Sequence, residues 1–146
     1  MATSEEEEIL DSPRGWVAKH IRRYVETDGR SGHRWYGTNT LLLTTRGRRS
    51  GKLHRTALIY GRDGDTYLLV ASNGGASNHP SWYLNLVEQP SVGLQVGADR
   101  FAGRARTATT EEKPRLWQLM TSILPQYDSY QKKAARDIPV VIVERA

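Results

Sequence analysis

The chain has 146 residues, 38% of them hydrophobic, no cysteine and a net charge of +5. That length fits one domain with a real core, and the lack of cysteine excludes disulfides, thiolate metal sites and cysteine nucleophiles. Residues 1–11 hold Glu5, Glu6, Glu7, Glu8 and Asp11 and no base, so residues 12–146 carry +10, a balance that attracts polyanions: nucleic acid, anionic lipid or a phosphorylated cofactor.

Residues 1–12 read as a disordered acidic leader. They lack the basic-then-apolar order of a secretory signal, and no later apolar run approaches the roughly 20 residues of a membrane span. With the absence of cysteine, this predicts a cytoplasmic protein. Residues 13–38 read as an amphipathic helix and a loop. Pro13 suits a first turn; Trp16, Val17, Ile21, Tyr24 and Val25 recur at helical spacing, with Arg14, Lys19, Arg22 and Arg23 on other faces. Such a stripe docks on the domain, or it rests on a membrane surface and makes the protein membrane-associated at the inner face of the cell membrane.

Residues 39–146 read as one cofactor-binding domain. Residues 39–45 form a buried strand, 47–52 a turn, 53–62 a second strand and 66–71 a third, with a hairpin turn at Asp63-Gly64-Asp65. Pro80 opens a short helix over 81–88. Strands at 91–96 and 101–107 form a hairpin. Thr109-x-x-Glu112 is a capping box, followed by a helix with Leu116, Leu119, Met120 and Ile123 on one face, ended by Pro125. Residues 138–143 form the last strand. The predicted class is α+β or mainly β: about six antiparallel strands closed as a barrel, two or three helices, and no parallel crossovers because tight turns join most strands.

Four stretches carry chemistry. Residues 46–55 hold Arg46, Arg48, Arg49, Lys52, His54 and Arg55 with no acid, and arginine forks match phosphate and carboxylate oxygens. The turn is not a phosphate loop of the nucleotide-hydrolase kind: three residues separate Gly47 from Gly51, and Leu53 follows the lysine. Ala71-Ser72-Asn73-Gly74-Gly75 follows a strand and can form a nest of backbone N–H groups. Residues 78–86 crowd two aromatics and two amides onto a short helix, with His79 before Pro80 reading as a turn residue. Tyr127 and Tyr130 share a face if helical and can offer phenols to a pocket. No triad, carboxylate dyad or metal cluster is visible.

Together, residues 43–52 (LTTRGRRSGK), 70–75 (VASNGG) with 79–86 (HPSWYLNL), and 125–131 (PQYDSYQ) with 136–141 (RDIPVV) resemble the signatures of the deazaflavin-dependent nitroreductase family, also described as F420H2-dependent quinone reductases. The match runs from about Asn39 to the C-terminus. It implies a fold similar to the FMN-binding split barrels and coenzyme F420 as cofactor, its polyanionic tail in a basic groove and its deazaflavin ring in a deeper pocket; FMN is the less expected ligand. By that resemblance Arg48, Arg49 and Ser50 hold the phosphate and ring edge. His54, Arg55, Thr56, Ala57, Leu58 and Ile59 lie beneath the ring. Val70, Ala71, Ser72 and Asn73 form the strand-end loop, Ser81, Trp82, Tyr83, Leu84 and Asn85 the short helix, and Tyr127 covers the cofactor.

The implied reaction passes a hydride from reduced deazaflavin to a quinone, nitroaromatic or activated enone. Ser72, Tyr127 and Tyr130 are candidates to donate to the acceptor oxygen as it gains charge. The chain departs from the family at His54 (commonly Arg), Ala57 (Pro), Ile59 (aromatic) and Leu124 (Tyr). Leu124, Tyr127 and Tyr130 are expected to wall an acceptor pocket that favours apolar quinones over nitroimidazoles, whose polar groups would be buried unpaired. An F420 carrier without turnover, an FMN-dependent split-barrel reductase and a basic nucleic-acid-binding module stay open. The last lacks a recognisable motif, and its aromatics sit away from the basic turn, so no nucleic-acid partner and no metal are expected.

Overall fold

The computed structural model describes residues 7–13, 15–35 and 37–146. In chain order the elements are β1 (Ile9–Asp11), α1 (Gly15–Glu26), β2 (Arg34–Trp35), β3 (Thr38–Arg46), β4 (Leu53–Ile59), β5 (Gly61–Asp63), β6 (Thr66–Val70), α2 (Ser81–Glu88), β7 (Ser91–Val96), β8 (Asp99–Thr107), α3 (Lys113–Ile123), α4 (Gln126–Lys133) and β9 (Val140–Arg145). A single-turn 3-10 helix, Asn73–Gly75, precedes α2.

The strands form one sheet in the order β1-β4-β3-β7-β8-β9-β6-β5, with β2 on β3. Its two ends meet through one piece of chain. β4 ladders onto β3 from Leu53 to Ile59, and after Tyr60 β5 ladders onto β6. The same segment thus belongs to both sides, which curls the sheet into a split barrel and removes most free edges.

Strand alternation sorts the apolar residues. Leu41, Leu43, Tyr67, Leu69, Val141 and Val143 point into the barrel with Leu86 and Leu94. Leu68, Val70, Val140 and Ile142 point outward, where Leu116, Met120 and Tyr127 of α3 and α4 cover them. Leu42 points outward beneath Val17, Ile21 and Tyr24 of α1. Runs apolar at every position, such as 41–43 and 140–143, are therefore covered on both faces, each full burial contributing about 1.5–3 kcal/mol. The α1 stripe docks on the barrel, as the first of its two readings expects. The Tyr24 hydroxyl donates to Thr40 O (3.0 Å) and accepts from the Gly97 N–H (2.7 Å), tying α1 to β3 and to the turn between β7 and β8.

Several sequence expectations need correction. Among the described residues the sheet has nine strands rather than about six, because β1, β2 and β5 span only two or three residues, too few for periodicity to register. The strand expected over 53–62 breaks at Tyr60, where the barrel closes. The described chain has four helices rather than two or three: Pro125, expected only to end α3, also starts α4, since its φ of −57° suits a helix start. One pairing is parallel, β1 with β4. Residues 9–11, expected to be disordered, form that strand because Asp11 pairs with Arg55 at 2.6 Å and Glu7 pairs with Arg46. The rest of the expected leader, residues 1–6, and Arg14 lie outside the described residues. Among the described residues no helix is long and apolar enough to cross a membrane.

Candidate active site

β1 pairs with β4 only as far as Arg55, and beyond that point the edge of β4 is open among the described residues. The ladder phase fixes which groups are left. The Tyr60 N–H donates to Asn39 O (3.1 Å), so even-numbered residues of β4 face β3; the Ser12 N–H donates to Arg55 O (2.9 Å), so odd-numbered ones face β1. Ala57 therefore turns its N–H and C=O toward the gap. A cavity of about 920 Å³ lies there, between β4, the basic turn, the start of α2, the Asn73 turn, residues 10–13 and the start of α1 at Trp16 and Val17.

The basic turn is tightly built. The Gly47 N–H donates to Lys52 O (2.7 Å) and the Gly51 N–H to Gly47 O (2.9 Å). A Cβ at Gly47 would lie 2.5 Å from Ser50 Oγ and 2.8 Å from His54 Nε2, so any larger residue there would displace the Ser50–His54 contact. Ser50 Oγ meets His54 Nε2 at 2.9 Å and accepts from the Lys52 N–H. Asn85 of α2, 5% exposed, locks the turn to the barrel. Its Oδ1 accepts from the Arg48 N–H (3.2 Å) and Arg48 Nη1 (2.9 Å), and its Nδ2 donates to Thr45 Oγ1 (3.1 Å).

The cations divide into two sets. Arg46 and Arg55 are matched by Glu7 and Asp11. Arg48 and Arg49 have no acidic partner among the described residues, and Arg49 is exposed. The site therefore offers two unneutralised guanidinium groups to an anion.

The facing wall is the turn after β6. Asn73, Gly74 and Gly75 are left-handed in succession, with φ of 49°, 64° and 82°. Gly75 lets α4 pack behind it, since a Cβ there would approach Tyr130 O to 3.0 Å. Arg136 reaches across to bind this loop and His79, whose pKa is lowered by burial first and by the Arg136 charge second.

Arg48, Arg49, Ser50, His54, Arg55, Thr56, Ala57, Leu58, Val70, Ser72, Asn73, Ser81, Trp82 and Asn85 are brought together on the cavity. Ala71 and Tyr83 instead face the barrel core, the Tyr83 hydroxyl meeting Thr107 Oγ1 at 2.8 Å, and Leu84 packs beside them. Ile59 lies on β4 past the cavity. Leu124, Tyr127 and Tyr130 are not on it either. They pack in the outer core, Tyr127 5% exposed with Trp117 and Tyr130 rings beside it, and burial pushes its phenol pKa up. Of the three expected donors, Ser72 alone lines the cavity.

Sequence reasoning missed the N-terminal wall, which includes Asp11, Ser12, Trp16 and Val17. No signature marks it, because a tertiary pairing of β1 puts it there. It also set His79 aside as a turn residue.

A split barrel with a basic groove along an open strand edge defines a cofactor-binding protein suited to a flat ring with an anionic tail. A family model described as F420H(2)-dependent quinone reductase matches residues 16–145. The chain is 41% identical over 143 residues to an F420H(2)-dependent quinone reductase of Mycobacterium tuberculosis (strain ATCC 25618 / H37Rv), covering 89% of this chain and 96% of that protein. The solved structure of an F420-H2 dependent reductase (FDR-A) is 40% identical with a TM-score of 0.66, covering 72% of this chain and 93% of that one. A second, described as a domain-swapped dimer, is 37% identical with a TM-score of 0.70, covering 91% and 100%. The chain belongs to the F420H2-dependent quinone reductase family, and the cofactor this implies is F420. The donor set fits such a group: two unmatched guanidiniums for its anions, the Ala57 peptide edge for ring polar atoms, and Leu58 and Trp82 for its flat face.

Proposed function

We propose that this protein binds reduced F420 in the groove beside β4 and reduces a quinone there, with nitroaromatics and activated enones as further acceptors of the same chemistry. The observation that carries this is the pairing of Arg48 and Arg49, free of acids among the described residues, with an open peptide edge at Ala57, in a chain of this family. Arg48, Arg49, Ser50 and His54 hold the anionic tail; Thr56, Ala57 and Leu58 line one side of the ring, and Val70, Ser72, Asn73, Ser81 and Trp82 the other. Asn85 acts on the cofactor only through Arg48.

When bound, F420 supplies a hydride; the protein supplies position, exclusion of water and electrostatics. Ser72 can donate a hydrogen bond to an acceptor oxygen. Tyr127 and Tyr130 support the wall from behind, so acceptor choice falls to residues on the cavity, Trp16 and Trp82 among them, rather than to Leu124. In the same proposal, contact with a membrane that carries the quinone is made by the exposed side of α1, through Trp16, Lys19, Arg22 and Arg23; its apolar side is already buried.

Tryptophan-quenching titrations with F420 and FMN side by side test the cofactor assignment. F420 is expected to bind and FMN to bind much more weakly; the reverse order refutes it. Turnover of menadione with reduced F420 separates an enzyme from a carrier.

A further inference from the structure

Arg136 sits in the connection between α4 and β9 and reaches to the loop before α2. Its Nη2 donates to Ser72 O (2.9 Å) and Ala71 O (3.3 Å), its Nε to Ala76 O (3.1 Å), and its Nη1 meets His79 Nδ1 at 3.0 Å. A guanidinium has donors only and stays charged, so in the last contact Nδ1 is the acceptor. An imidazole that accepts at Nδ1 is neutral and carries its proton on Nε2. Burial and the Arg136 charge both hold the ring neutral. The ring is further fixed against Tyr83, with centroids 4.8 Å apart, and it lines the cavity. No side-chain N or O among the described residues is both buried and unpaired, and no described group meets His79 Nε2. That N–H is therefore open to solvent, on a residue that lines the cavity.

We propose that Arg136 makes His79 a fixed, neutral Nε2–H donor for the acceptor's carbonyl oxygen. This rests on the reductase reading above. Hydride transfer to a quinone adds two electrons and one hydrogen nucleus, oxidises the deazaflavin donor and leaves a hydroquinone monoanion; a proton from solvent then completes the hydroquinone. His79 gains and loses no proton. It stabilises the oxygen as negative charge develops, with no reorientation needed because the tautomer is already set. A neutral imidazole suits this role, since it polarises an oxygen without giving its proton away. Arg136 is a positioning residue that acts through His79.

Nitrogen-15 NMR of the protein alone tests the tautomer: His79 should carry its proton on Nε2 at pH 7, and Arg136→Met should mix the two tautomers. Titrating the same sample with menadione should move the His79 Nε2–H signal. In the loaded enzyme, His79→Phe keeps the ring but removes the donor, and His79→Gln keeps an N–H. Both should retain wild-type F420 affinity; His79→Gln keeps an acceptor for Arg136 and should retain the wild-type Tm, whereas His79→Phe, which loses that contact, should lower it modestly. His79→Phe should lose about 100-fold in menadione kcat, the order seen when one oxyanion donor is removed, and His79→Gln should recover most of it. A proton on Nδ1, an Nε2–H signal indifferent to menadione, or full turnover by His79→Phe overturns the proposal. So does a loss of F420 affinity without a loss of kcat, which would assign the donor to the cofactor. If wild type fails to bind F420, the reductase reading falls, while the tautomer and menadione titrations still decide the donor site.

Discussion

Replacing Asn85 by Asp preserves the shape of the amide while changing what it does to Arg48. In the wild type Oδ1 accepts twice from Arg48 and Nδ2 donates to Thr45 Oγ1 at 3.1 Å. An aspartate keeps the two acceptor contacts, and the Thr45 hydroxyl can turn to donate to the other oxygen. The network stays satisfied, so the fold should survive. The new charge, at a position 5% exposed, neutralises Arg48 and removes one of two cations offered to the cofactor. A hydrogen bond to a charged group contributes about 1.5–3 kcal/mol, so F420 should bind roughly 10- to 150-fold more weakly. Asn85→Ala acts differently. It leaves the Arg48 N–H and the Thr45 hydroxyl without this partner, at about 1–3 kcal/mol for each group stranded in the interior, and should lower Tm by roughly 5–15 °C. Thermal unfolding and tryptophan-quenching titration of both variants separate the two effects. Wild-type F420 affinity in Asn85→Asp would refute the claim that Arg48 must stay unneutralised, and an unchanged Tm in Asn85→Ala would refute the lock.

Arg49→Ala should weaken F420 binding by about 1.5–3 kcal/mol with Tm unchanged, because the side chain has no partner among the described residues to lose; a titration paired with a melt checks both halves. Tyr127→Phe should leave menadione kcat within about twofold, since the phenol is buried in the outer core and off the cavity; a loss of 10-fold or more at saturating cofactor would return Tyr127 to the chemistry. Stability should fall as pH drops from 7 to 5. His20, His33 and His79 all have pKa values below the usual 6.5, burial being the first cause in each, so below 6.5 the unfolded chain takes up protons that the folded one resists. Glu112, held at about 2 first by Arg106, and Asp63, lowered first by Arg115, add losses only below their ordinary range. A Tm that is flat or rises between pH 7 and 5 would contradict the histidine assignment.

Much of the architecture was legible in the residues. Helix α2 is bounded where Pro80 and Pro90 place it, because proline restricts both the helix interior and the residue before it. The capping box forms as read: the Glu112 N–H donates to Thr109 Oγ1 and the Thr109 N–H to Glu112 Oε1. The basic turn and the Ser72 loop were visible because clustered charge and glycine need no partner to be noticed.

What the sequence could not show depends on contacts distant along the chain. Residues 9–11 become a strand only because the edge of β4 and the Arg55 and Arg46 guanidiniums are there to receive them. Three residues carry no periodicity of their own. Tyr127 and Tyr130 share a helix face as the spacing predicted, yet that face turns to the outer core, because α4 packs behind the left-handed turn at residues 73–75. Spacing determines which side chains travel together; the packing of one element on another decides what they meet. His79 is the plainest case. Its place before proline reads as a turn, and only an arginine 57 residues away gives it a tautomer and a direction.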